Sequence, residues 1–124
     1  MRIGKFSIPL LGGCRVEVYN TVAEVGFKNE DEVKAGCEYD YNKRLMKLGF
    51  DFNKHWWHGT VAHECLHCTH RILDILGIKP DYDNDEIECY TCEYIVDKVT
   101  DIVIKYENSL TKGKKNERKL KTSD

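Results

Sequence analysis

Thr60-Val61-Ala62-His63-Glu64-Cys65-Leu66-His67-Cys68-Thr69-His70-Arg71-Ile72-Leu73-Asp74-Ile75-Leu76-Gly77 is the stretch whose period decides the fold. At about 100° per residue, Val61, Cys65, Cys68, Ile72 and Leu76 fall on one stripe, with His63, His67 and His70 opposite. That pattern predicts an amphipathic helix from an N-cap at Thr60 to about Leu76. Gly77 suits the left-handed position beyond the last turn, and Pro80 prevents continuation. One face is therefore buried, and three histidines are presented on the other.

The pattern then changes on both sides. Upstream, Phe6, Ile8 and Leu10 alternate with Lys5, Ser7 and Pro9. Beyond Gly12-Gly13, Cys14, Val16 and Val18 alternate with Arg15 and Glu17, which predicts a hairpin. Thr21 to Phe27 reads as a further strand and Lys28 to Glu32 as a charged loop. A second hairpin is expected from Ala35 to Phe52, turning at Asn42-Lys43. Downstream, a second helix should start near Asp83 to Asp85 and reach about Tyr106, burying Cys92, Val96, Val99 and Val103. The expected fold class is α+β, a small, mainly antiparallel sheet followed by two packed helices.

The chain has 124 residues, enough for one domain with a real core. It contains no apolar run of about 18 residues and no apolar stretch after Met1, so neither a membrane span nor a secretion signal is expected. The expected location is cytoplasmic, where the 6 cysteines read as thiols or metal ligands rather than a disulfide frame. The formal net charge is −2, unevenly spread. Lys112 to Asp124 has 6 basic and 2 acidic residues, so this tail carries +4 and the body −6. With almost no apolar residue, residues 111–124 are expected to be a disordered basic tail after a metal-binding domain over 1–110. On an acidic body the tail reads as a solubilising terminus rather than a nucleic-acid arm.

Within the helix, His63-Glu64-Cys65-Leu66-His67 is an HExxH motif. Residues four apart lie one above the other, so His63 and His67 can offer two imidazole nitrogens to one Zn²⁺, with Glu64 beside the metal as a base. A catalytic zinc needs a third protein ligand and one open position. The acidic start of the second helix offers Glu86, with Glu88 as the fallback. Asp83-Asn84-Asp85-Glu86 also fits a capping box, in which Glu86 would serve the backbone instead.

HExxH, about twenty residues, then Glu-x-x-small is similar to the gluzincin branch of the zincin metallopeptidases. Val61-Ala62-His63-Glu64-Cys65-Leu66-His67 followed by Asp85-Glu86-Ile87-Glu88-Cys89-Tyr90 most resembles very small zincin-like proteins, including phage-encoded ones, over residues 58 to 95. A cysteine stands where alanine is usual, at Cys89. The resemblance implies Zn²⁺ as cofactor, His63, His67 and Glu86 as ligands and Glu64 as general base. It implies hydrolysis of a peptide bond in a peptide or protein substrate. Tyr90, about 40° around the helix from Glu86, is a candidate for stabilising an oxyanion.

Two alternatives belong to other classes. One is a zincin-like interaction protein that binds metal without chemistry. The other is a structural Cys₄ zinc module, because Cys65/Cys68 and Cys89/Cys92 form two CxxC pairs separated by twenty residues. Both pairs lie in helical patterns without the glycine-marked turns of zinc ribbons, and free cysteine on a buried stripe behaves as a small apolar residue. Cys14 and Cys37 read as core, Trp56-Trp57 as a packing anchor flanked by His55 and His58.

Overall fold

The structure is a computed structural model that describes residues 1–9, 14–27, 33–54, 56 and 58–122, with side chains as far as 113. Four strands, β1 (Arg2–Ile8), β2 (Cys14–Tyr19), β3 (Ala35–Asp40) and β4 (Leu45–Phe50), precede two helices, α1 (His58–Ile75) and α2 (Glu86–Thr122). The architecture is α+β, as the period changes predict. The strand order is β1-β2-β4-β3, antiparallel at both hairpins and parallel between β2 and β4. The expected turn at Gly12-Gly13, the loop at 28–32, and His55 and Trp57 lie outside the described residues.

Strand alternation puts Phe6, Ile8, Val16, Val18, Met46, Leu48 and Phe50 on the face that meets the helices. Val61, Cys65, Cys68 and Ile72 of α1 close the core from above, as their spacing predicts. Leu76 does not join them, because α1 ends at Ile75. The helix also begins at His58, ahead of the expected cap at Thr60. Gly77 takes a left-handed φ of 72°, with its N–H on the Asp74 carbonyl at 3.0 Å and that of Ile78 on Leu73 at 2.9 Å. These are the paired bonds of a Schellman turn, which satisfy carbonyls the helix leaves open.

Helix α2 buries Ile95, Val99 and Val103 in line, with Thr91 one turn before them, whereas Cys92 and Val96 sit on the flank of that stripe. It does not stop near Tyr106. It continues to Thr122, through residues 111–122 of the stretch expected as a tail. Lys, Glu, Leu and Arg are good helix formers and no proline interrupts them. Phe52 and Asn20 hold Tyr106, whereas residues 107–113 are all exposed. Over residues 107–113 the helix therefore runs on without core contact.

Thr21 to Phe27 is not a strand. It forms a 3₁₀ turn at Ala23–Val25, ended by Gly26 at φ 88°. Val22 and Val25 are buried by packing over the sheet face opposite the helices, where Gly36 and Gly49 face each other across β3 and β4. A Cβ on Gly49 would lie 2.4 Å from the Thr21 carbonyl oxygen, so this turn seats only on a glycine pair. Among the described residues, no helix is long and apolar enough to cross a membrane.

Candidate metal centre and its groove

Helix α1 lies over β3, whose second edge carries no strand partner among the described residues. Between that edge and α1 runs a groove of about 420 Å³, bounded by Cys37 and Tyr39 on one side and by Glu64, His67 and Arg71 on the other. A larger groove, about 850 Å³, lies between α1 and the segment leading into α2, and includes His67, His70, Arg71 and Glu88. His67 and Arg71 border both.

His63 and His67 are exposed, and their Nε2 atoms lie 3.2 Å apart. Two nitrogens bound to one tetrahedral Zn²⁺, each 2.0–2.1 Å from it, are about 3.3 Å apart. The pair therefore fits a single zinc with no change of separation. Without metal, one imidazole N–H can donate to the other ring's free nitrogen across the same gap.

Glu64 points the other way round the helix and is only 7 % exposed. It makes no hydrogen bond to any described residue, and no buried side-chain oxygen lacks a partner among the described residues, so its carboxylate oxygens reach the open groove. Burial pushes its carboxyl above the ordinary value, partly countered by the nearby charges of His63 and His67. A base in such a place holds a proton more readily than one in water.

The third ligand is less fully prepared. Among the described residues, no three His, Cys, Asp or Glu side chains converge as a metal-holding group. Glu86 is exposed at the first position of α2, without a hydrogen-bond partner among the described residues. The capping box is not formed. The Asp85 carbonyl accepts the first helical bond, from Cys89, and Asp81 closes the preceding turn through the N–H groups of Asp83 and Asn84. Glu88 is instead drawn to α1, where its Oε1 lies 2.5 Å from His70 Nε2. The first turn of α2 is thus tethered beside the histidine face. Tyr90 is 64 % exposed, with no described polar contact.

The four CxxC cysteines do not converge among the described residues. Cys65 and Cys68 are fully buried, Cys92 half-buried and Cys89 exposed. Burial, reinforced by Cys92, Cys37 and Glu64, pushes the Cys65 thiol up to about 12. A hydrogen bond with Cys37, then burial, raises that of Cys68 well above its ordinary value. Both thiols lie in the apolar core, where free cysteine packs as a small apolar residue. Trp56 is the expected anchor, stacked with Phe50 and Phe52 and donating to the Asp51 carbonyl at 2.9 Å.

Arg71 was legible but not singled out by motif. His63, His67 and Arg71 recur at four-residue intervals, which places a cation on the ligand face one turn beyond HExxH. Comparison with family models, with curated proteins and with solved structures finds no match to this chain.

Proposed function

We propose that the chain is a small zinc-dependent peptidase of the gluzincin kind, with His63 and His67 as two ligands, Glu86 as the third and Glu64 as general base. The observation that carries this reading is the 3.2 Å imidazole pair, with its His67 and the adjacent, largely buried Glu64 lining a groove along a strand edge that has no partner among the described residues. A peptide lying along β3 gains main-chain hydrogen bonds from that edge, which brings its carbonyl groups past Glu64 and His67. Zinc, when bound, polarises the scissile carbonyl and makes water nucleophilic near neutral pH. Glu64 accepts the proton of the attacking water and returns it to the leaving amine, the two-way transfer expected of a carboxylate whose proton affinity burial has raised. Glu86 is free to turn toward the pair, whereas Glu88 is engaged by His70.

The lack of a converged third donor among the described residues favours a second reading, a metal-binding interaction protein without chemistry. Zinc content and turnover separate the two. Parent protein, His63→Ala, Glu86→Gln and Glu64→Gln are compared by elemental analysis and on a mixed peptide library. The peptidase reading expects one zinc per chain, lost with His63→Ala and weakened with Glu86→Gln. It also expects cleavage that falls about 10²–10⁴-fold in Glu64→Gln with zinc retained. Zinc binding with no Glu64-dependent cleavage would leave the interaction protein.

A further inference from the structure

Arg71 continues the row that begins with His63 and His67, its Cα about 6 Å further along the helix than that of His67. Its guanidinium borders both grooves. Its one polar contact is a donation to the Tyr41 hydroxyl at 3.3 Å, and it has no ion pair with any described carboxylate. Tyr41 is itself 66 % exposed and stacks edge-on against Tyr39 in β3. Tyr41 and Arg71 both line the β3 groove and meet one residue beyond the end of the strand.

We propose that Arg71 binds the terminal carboxylate of a peptide, so that the groove takes chains that end close to the His63/His67 pair. The inference deepens the peptidase reading and rests on it. A guanidinium is charged at any working pH and presents a planar fork that matches a carboxylate with two parallel hydrogen bonds. A phenol uses that fork poorly, and an arriving carboxylate replaces it with charge-assisted bonds. Because Arg71 and Tyr41 meet where β3 ends, a carboxylate held at Arg71 is most simply that of a chain terminus. Other groove-lining charges act in the same direction. Glu38 and Glu64 in one groove, and Asp74, Asp81, Asp85 and Glu88 in the other, repel an anion, so that in the β3 groove Arg71 is the one fixed cation among the lining residues. Lys79, in the larger groove, is the one other fixed cation of the two linings.

The test is binding to the zinc-loaded full chain, read by calorimetry with two small probes. 2-Benzylsuccinate carries one carboxylate that can meet the metal and a second, two carbons away beside the benzyl group, that stands for the peptide terminus; 4-phenylbutanoate keeps the first and lacks the second. The proposal expects the dicarboxylate to bind about 10- to 100-fold more tightly, the range of a hydrogen-bonded charge. Arg71→Met should erase that preference without loss of zinc or of melting temperature, since Arg71 is exposed. Arg71→Lys should restore part of it. Equal binding of the two probes, or a preference that survives in Arg71→Met, overturns the proposal and leaves the zinc centre standing. Failure of the parent to take up zinc overturns the metal-centre reading and this proposal with it.

Discussion

His70 Nε2 and Glu88 Oε1 meet at 2.5 Å, a single contact that ties the ligand face of α1 to the first turn of α2. Both side chains are partly exposed, so the pair adds little to global stability. Its effect is positional. Glu86 sits two residues earlier on the same turn, and its reach toward His63 and His67 depends on where that turn is held.

His70→Ala is therefore expected to leave the urea midpoint nearly unchanged while weakening zinc binding about 10- to 100-fold, the usual cost of losing a residue that holds a ligand in place. Competition against a chromophoric chelator measures the affinity. Unaltered affinity would show that α2 contributes no ligand.

Glu64→Gln should stabilise the metal-free protein. Glu64 is 7 % exposed and burial raises its carboxyl, so a neutral amide of the same shape is cheaper to hold in that place. The gain expected in chelator is roughly 1 kcal/mol, read from urea unfolding at neutral pH. A loss instead would mean that Glu64 has a structural partner.

Gly49→Ala places a methyl group 2.4 Å from the Thr21 carbonyl oxygen, a backbone atom that cannot rotate away. Overpacking of this kind costs about 1–3 kcal/mol. The loss should appear in urea unfolding, with zinc content per folded chain preserved. Gly59→Ala, where nothing lies within 4 Å, serves as the control.

Thiol labelling distinguishes the cysteines. Cys89 is exposed and should react with a disulfide reagent in the native state, whereas the fully buried Cys65 and Cys68 should react only on unfolding. Removal of zinc should leave that order unchanged. Exposure of Cys65 and Cys68 by a chelator would revive the Cys₄ module.

Acid sensitivity should trace in part to Glu17. Burial raises its carboxyl, but hydrogen bonds from Arg2 and Tyr19 and the charges of Arg2 and Arg15 outweigh this and leave it below 4.5. Lys5 and Lys47 are its cross-strand neighbours. A lowered value means that the stabilisation is present above the ordinary carboxylate range and is lost as pH falls through the lowered value. The stability gap between parent and Glu17→Gln should therefore close on acidification. A gap constant from pH 7 to pH 3 would contradict it.

What the sequence reveals here is what short periods encode. Val61, Cys65, Cys68 and Ile72 mark the buried side of α1, and the alternation of Cys14, Val16 and Val18 marks a strand, because each depends on neighbours within a turn or a pleat. The parallel pairing of β2 with β4 depends on segments some thirty residues apart, with no local signature. The 3₁₀ turn at Ala23–Val25 was hidden for a related reason. Its valines read as strand, and only the Gly36/Gly49 seat, formed by the distant hairpin, makes a compact turn the better way to bury them. At the candidate site, the imidazole pair follows from four-residue spacing alone. The pairing of Glu88 with His70, and the failure of the capping box, depend on where α2 begins, which composition leaves open by several residues.

The edge of β3, which has no strand partner among the described residues, has a consequence for the protein in bulk. A strand able to receive a peptide is equally able to receive the same strand of another copy, the first step toward ordered aggregates. Ala35–Asp40 contains Glu38 and Asp40 and no basic residue, so two such strands meeting edge to edge bring like charges together. Added salt screens that repulsion, and concentrated solutions of this protein should keep better at low ionic strength than at high.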